Sequence, residues 1–179
     1  MIVFYTSTFG FLLLFLSDYI QIRNQSRKSF LYSSAGYSII AVTLLYTLTN
    51  APGFNLYPIT TVLGFMFTSI FSGLLIYSLL IEIPLIRRKR ELRSNEAITE
   101  GTYGLCRHPG FIWFLMLMPS LYLIHRNVFF LGLSVYMIIL NLFLIHVEDR
   151  YLFPKIFKNY TEYQDRVPFL IPLSRFDRE

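Results

Sequence analysis

The densest run of residues able to do chemistry is Gly101-Thr102-Tyr103-Gly104-Leu105-Cys106-Arg107-His108-Pro109-Gly110-Phe111, which leads directly into an apolar stretch. Its glycines let a backbone come close to a ligand, and Pro109 suits the first turn of a helix. A helix starting there aims its free amides at an anion, and Arg107 and His108 add side-chain donors. The carboxylate of a small zwitterion matches that chemistry. The plainer alternative is that Arg107 and His108 anchor a helix end among lipid headgroups, with Tyr103 and Trp113 as interfacial aromatics.

A second cluster follows the last apolar run: His146-Val147-Glu148-Asp149-Arg150-Tyr151-Leu152, then Phe157, Tyr160, Tyr163 and Arg166-Val167-Pro168-Phe169-Leu170-Ile171-Pro172. On a continuing α-helix, Glu148 and Leu152 stand i,i+4 on one face, which keeps Glu148 at a pocket wall. A carboxylate at a membrane edge is costly unless paired, so Glu148 is a natural partner for a ligand ammonium group. An internal pair with an arginine is the competing reading.

The elements that must position these clusters are membrane spans. Across 179 residues, 54% are apolar and 18% aromatic, more than a water-soluble core of this size needs. Several uncharged runs approach the roughly 20 apolar residues of a bilayer crossing. Hydropathy predicts spans over about Ile2 to Ile20, Phe30 to Leu48 and Tyr57 to Ile81, the third ending at Glu82 and Pro84. An uncharged turn cluster, Asn50-Ala51-Pro52-Gly53-Phe54-Asn55, separates the second from the third. Phe111 to Ile124 is short for a crossing and carries Pro119, which predicts a kink. It forms a helical hairpin with Val128 to Ile145 through His125-Arg126-Asn127.

The expected fold class is therefore all-α: a polytopic membrane protein of about five transmembrane helices in a single domain. Three N-terminal spans occupy residues 1–81, and a catalytic half occupies 82–172. The cofactor pocket is expected on the cytoplasmic side, built from the segment before span 4 and the C-terminal tail.

Charge placement gives the sidedness. The 21–30 loop, the 82–110 segment and the tail hold 15 of the 16 basic residues, leaving only Arg126 opposite. By the positive-inside rule the N-terminus is outside and the C-terminus cytoplasmic. The spans read as free of charged residues, and every Asp and Glu reads as lying on the inner side or its boundary.

The net charge of +5 reflects orientation and contact with anionic lipid rather than nucleic acid. Cys106, the single cysteine, excludes an internal disulfide. Three distant histidines without a cysteine pair make a metal site unexpected. Neither a Gly-x-Gly-x-x-Gly fingerprint nor a P-loop occurs. No basic residue precedes the first apolar run and Asp18 follows it, so a cleaved signal peptide is not expected.

The two clusters together resemble the isoprenylcysteine carboxyl methyltransferases and related phospholipid N-methyltransferase-like membrane enzymes. The shared pattern is Gly101 and Tyr103, Arg107-His108-Pro109, a helical hairpin, Glu148-Asp149 with Leu152, Tyr160 with Tyr163, and Arg166-Val167-Pro168 with Pro172. The resemblance covers about half the chain, from Arg87 to Pro172. It departs at Phe111, where the family prefers Tyr, at Trp113, where it has Gly, and at Asp149, where a second Glu is usual. Leu144 stands where the isoprenylcysteine enzymes carry a substrate-contacting arginine, with His146 nearby.

The resemblance implies S-adenosyl-L-methionine as cofactor, held by Asn95, Glu96, Ala97, Ile98, Tyr103, His108, Pro109, Gly110, Phe111 and Glu148. It implies catalytic roles for Arg107, His108 and Arg166, and acceptor contacts from His146, Arg150 and Arg166. The implied reaction is methyl transfer to a membrane-embedded, lipid-like or prenylated acceptor, foremost the carboxylate of an isoprenylated cysteine. Such a displacement needs alignment and exclusion of water more than a strong base. Competing expectations are a phospholipid N-methyltransferase, an NADPH-dependent reductase of the sterol reductase type, whose motif continues differently after Arg-His-Pro, and a non-enzymatic membrane subunit.

Overall fold

A computed structural model describes residues 1–23, 26–50, 58–90 and 95–170. Positions 51–55 of the expected turn, Tyr57 at the expected start of the third span, Arg93, and the tail from Ile171, with Pro172, Arg175 and Arg178, lie outside those residues. All elements among the described residues are helical.

Helix α1 spans Ile2–Ile22 and α2 spans Ser26–Asn50. Helix α3, Pro58–Ile76, passes through a π-turn at Tyr77–Glu82 into α4, Ile83–Arg90. After a short 3₁₀ turn at Gly101–Gly104 come α5, Pro109–His125, and α6, Val128–Val147. A second π-turn at Glu148–Leu152 joins α6 to α7, Phe153–Ile156, and α8 covers Tyr160–Arg166.

Four helical runs are long and apolar enough to cross a membrane: Ile2–Ile22, Arg27–Asn50, Pro58–Arg90 and Val128–Ile156. Helix α5 is not among them. Its 17 residues rise about 25 Å, short of a hydrocarbon core about 30 Å thick. Pro119 sits inside this helix with its ring on the exposed side.

The third run corrects the sequence reading, because it continues past Glu82 and Pro84 to Arg90. A proline inside an α-helix collides with the carbonyl four residues back, here that of Leu80. The π-turn over Tyr77–Glu82 widens the backbone at that carbonyl and accommodates the ring.

Two glycine-mediated crossings organise the bundle. A Cβ on Gly36 of α2 would stand 2.9 Å from the Gly10 carbonyl oxygen of α1, and a Cβ on Gly10 would stand 2.8 Å from Ile40. Gly64 of α3 meets α5 in the same way, 3.1 Å from both the Ile124 nitrogen and the Ser120 oxygen. Small residues permit such close backbone approach where lipid offers no hydrophobic drive between helices. Polar contacts cross the same seams: Thr43 donates to Thr6 at 3.0 Å, and Ser17 donates to the Ser29 carbonyl at 2.9 Å.

Helix α1 also packs on α6, where Thr8 and Tyr136 hydroxyls lie 2.6 Å apart. Phe11 of α1 meets Phe114 of α5 edge-on at 6.5 Å between ring centres. Met118, Phe130, Leu133 and Met137 are fully enclosed at the centre. The expected α5–α6 hairpin forms. Arg126 closes α5 in the left-handed region at φ 45°, and the Asn127 side chain accepts from the Phe129 amide at 2.7 Å to start α6.

Candidate functional site

The expectation of uncharged spans does not hold. Asp18 lies within α1, Glu82 within the third run, and Glu148 and Asp149 within the fourth. Three of these carboxyls converge with Arg107 and His108 at the start of α5.

Arg107 and His108 precede α5, with His108 as its N-cap and Pro109 as its first residue. The Arg107 guanidinium grips Asp149 with both arms, Nε to Oδ1 at 2.7 Å and Nη2 to Oδ2 at 3.0 Å. Its Nη1 donates to the carbonyls of Gln164 and Val167 at 2.9 and 2.8 Å, and its amide donates to Pro168 at 3.0 Å. Asp149 also accepts from the Tyr160 hydroxyl at 2.7 Å and from the Gln164 amide at 3.2 Å. This buried ion pair therefore ties α5, the end of α6 and the tail into one unit.

The π-turn decides which faces point inward. With i→i+5 bonding over Glu148–Leu152, the expected i,i+4 register of Glu148 and Leu152 on one face does not apply. The successive side chains of Glu148 and Asp149 are instead both turned in, 13% and 12% exposed. Their partners differ. Asp149 is saturated by Arg107 and Tyr160, whereas among the described residues no arginine or lysine pairs with Glu148. Helix α1 packs on this π-turn and brings the Asp18 carboxyl close enough to interact with that of Glu148.

His108 stands between the two acidic groups. Nδ1 is 3.8 Å from Glu148 Oε2, and Nε2 is 3.4 Å from Asp149 Oδ1 but too poorly aligned to hydrogen-bond. The ring is stacked on Phe153 at 5.8 Å and met edge-on by Phe169 at 5.1 Å. Burial lowers its pKa from the ordinary histidine value, outweighing the neighbouring Asp149, so the imidazole is neutral near pH 7. A neutral ring with an unpartnered buried nitrogen is an available polar contact for a ligand.

The residues before α5 are strapped to the tail. Asn159 accepts from the Ala97 amide at 2.7 Å and donates back to the Ala97 carbonyl at 3.3 Å. The Lys158 amide donates to Asn95 at 2.9 Å. Ala97 packs with Tyr160, Tyr163 and Val167, while Ile98 is buried and Glu96 half-buried. Tyr103 donates to the Ser78 carbonyl at 3.2 Å, and its own carbonyl accepts from Tyr163 at 2.6 Å. Burial raises the pKa of Tyr103, Tyr160 and Tyr163 and of the Cys106 thiol, so the phenols act as hydrogen-bond donors and the thiol stays protonated. Glu82, 2% exposed, accepts from the Thr102 amide at 2.6 Å and from the Thr102 hydroxyl, holding the turn at Gly101, whose φ is +63°.

Other expected site residues lie apart from this constellation. Pro109 and Phe111 are buried in packing, and a Cβ on Gly110 would meet Leu79 at 3.2 Å, so that glycine serves the contact between α5 and the π-turn. His146 is exposed, edge-on to Phe169 at 6.4 Å, and Arg150 is exposed with its guanidinium 6.0 Å from the Tyr151 ring. A cleft of about 250 Å³ is lined by Thr99, Asn159, Glu162, Tyr163, Arg166 and Val167, so Arg166 alone of the expected residues faces it.

Sequence reasoning missed Asp18, Glu82, Asn159 and Gln164, and treated Asp149 only as a departure from a motif. A carboxylate inside an apolar run was the available signal for Asp18 and Glu82. Asn159 and Gln164 carried none, since amides in a polar tail are unremarkable until their partners are known. No family model, curated protein or solved structure matches the chain.

Proposed function

We propose that this protein is an integral membrane methyltransferase that uses S-adenosyl-L-methionine to methylate a lipid-like amphiphile. The observation that carries the reading is Glu148: a largely buried carboxyl with no arginine or lysine partner among the described residues, 3.8 Å from Nδ1 of His108. A largely buried carboxyl of this kind takes up either a proton or a cation, and the cofactor brings two cations, an ammonium and a sulfonium.

S-adenosyl-L-methionine supplies a methyl group already activated on sulfur. The residues present fit it in kind. Glu148 would hold the ammonium and His108 would offer a polar contact. Arg107 and Asp149 act as positioning residues, because their charges satisfy each other and fasten the tail over the site. The strap through Asn95, Glu96, Ala97 and Ile98 and the Tyr103 ring would close the remaining side and exclude water. Arg166, in the cleft outside the strap, would meet anionic ligand groups arriving from water.

The acceptor would come from the bilayer, where each buried methylene contributes about 0.8 kcal/mol to its partitioning. In this reading α5 completes a set of five membrane-embedded helices, tilted or packed without a full crossing. The N-terminus is outside and the C-terminus cytoplasmic. Cysteines introduced at Ser26 and Ser174 in a Cys106→Ser background are then expected to resist a membrane-impermeant thiol reagent in intact cells and to react after permeabilisation. Labelling of both from outside would overturn the topology.

The function is tested by incubating the purified protein in lipid vesicles with methyl-labelled S-adenosyl-L-methionine and following the label. Transfer to a lipid or prenyl-cysteine is expected. Failure to bind the cofactor by calorimetry would refute the assignment.

A further inference from the structure

The reading above gives Glu82 no part in the site. This carboxyl is 2% exposed within the third apolar run, and among the described residues no arginine or lysine pairs with it. An ionisable group carried into a span is costly unless it is paired or hydrogen-bonded. Both of its oxygens are directed at one residue: Oε1 accepts from the Thr102 amide at 2.6 Å, and Oε2 accepts from the Thr102 hydroxyl. The third run is thereby fastened, across 20 residues of chain, to the strap that precedes α5.

The same π-turn takes a second hold on the strap. Ser78, fully buried, offers its carbonyl to the Tyr103 hydroxyl at 3.2 Å, while its own hydroxyl donates to the Leu75 carbonyl at 3.1 Å. The Tyr103 carbonyl in turn accepts from Tyr163 at 2.6 Å. Just before these holds the backbone turns at Gly101 with φ +63°, and a Cβ there would collide with the Glu82 carboxyl. Tyr103 is thus fixed by both its backbone and its ring, close enough to Glu148 to feel its charge.

We infer that Glu82 is a positioning residue: through Thr102 it fixes the Tyr103 ring beside Glu148, and so sets the wall of the site that closes on the cofactor. The inference rests on the methyl-transfer reading. Glu82 touches neither cofactor nor acceptor, and it acts through its two hydrogen bonds rather than through its charge. A glutamine of the same length can take its place, its carbonyl accepting from the Thr102 amide and its amide donating to the Thr102 hydroxyl. A leucine keeps the bulk but leaves the Thr102 amide without an acceptor, which frees the end of the strap.

The test uses the full chain in detergent or phosphatidylcholine vesicles. Without cofactor, Glu82→Leu should speed amide hydrogen exchange over residues 99–105 at least about tenfold and leave exchange in α5 and α6 unchanged. By calorimetry, affinity for S-adenosyl-L-methionine should fall at least about tenfold in Glu82→Leu and in Tyr103→Phe, and stay within about threefold of wild type in Glu82→Gln. Because Glu82 acts through Tyr103, the double variant Glu82→Leu/Tyr103→Phe should bind within about threefold of the weaker single variant. A glutamate that only stabilises the fold would weaken binding independently of Tyr103, and the two losses would multiply.

Unchanged exchange over residues 99–105 in Glu82→Leu, unchanged cofactor affinity in that variant, or losses that multiply in the double variant would each overturn the inference and leave the transferase reading standing. Binding by Glu82→Gln as weak as by Glu82→Leu would overturn it too. Absence of cofactor binding by the wild-type protein would overturn both. Should Glu82→Leu fail to fold, Thr102→Val, which removes the hydroxyl bond alone, decides in its place: exchange and affinity should each change about threefold, and wild-type values in both would overturn the inference.

Discussion

Asp149→Asn is expected to destabilise the protein by about 3–5 kcal/mol, the usual cost of breaking a buried ion pair by removing one partner. The substitution leaves the Arg107 guanidinium, 11% exposed, without its counter-ion in a pocket shaped for one. Arg107 also holds the carbonyls of Gln164 and Val167, and Tyr160 donates to Asp149, so the damage reaches the tail. Thermal unfolding in detergent should show the lowered midpoint, and limited proteolysis should cut earlier after Ile156. The double variant Arg107→Gln/Asp149→Asn should recover part of the loss, because it buries no orphan charge. An unchanged midpoint in Asp149→Asn would mean that the pair holds nothing together.

Glu148→Gln should behave in the opposite way. It replaces a carboxyl that has no arginine or lysine to orphan among the described residues by an amide of nearly the same shape. Folding should survive with a midpoint within a few degrees of wild type. Cofactor affinity, measured by calorimetry in vesicles or detergent, should fall by about 2–5 kcal/mol, at least about 30-fold, as expected when a buried ligand charge loses its partner. Unchanged affinity would leave Glu148 a purely structural group and remove the main support for the proposed function. Neighbouring carboxylates are thus expected to separate cleanly, Asp149 in stability and Glu148 in binding.

Much of the helical architecture is legible from hydropathy alone, because bilayer-length apolar runs have few other uses. The observed α1, α2 and α6 extend the expected spans by a few residues at most of their ends. The third run extends through Pro84, since a π-turn upstream removes the steric penalty that normally stops a helix at proline. No hydropathy scale registers that relief. The hairpin at His125-Arg126-Asn127 is local chemistry, an Asn cap next to a left-handed closing residue, and it is visible in sequence for that reason.

The site divides along the same line. Arg107-His108-Pro109 and Glu148 stand out by residue type and by their position at the ends of apolar runs, and the fold brings them together. Which carboxylate Arg107 takes was not legible. Glu148 and Asp149 are adjacent in sequence, and the α-helical register favours Glu148 as the inward group. The π-turn rotates both inward, and the tail carbonyls then fix the guanidinium where only Asp149 receives both arms.

By itself, the sequence determined that the chain is a bundle of membrane-length helices with its ionisable residues gathered at one end, because burial of apolar runs and the cost of charge in lipid are properties of short segments. The tertiary structure decided the pairing of charges. Asp18 reads as a span-end carboxylate until the packing of α1 against α6 sets it beside Glu148. A charge's role depends on which opposite or like charge stands within a few ångströms, and that distance is set by helix packing rather than by spacing along the chain.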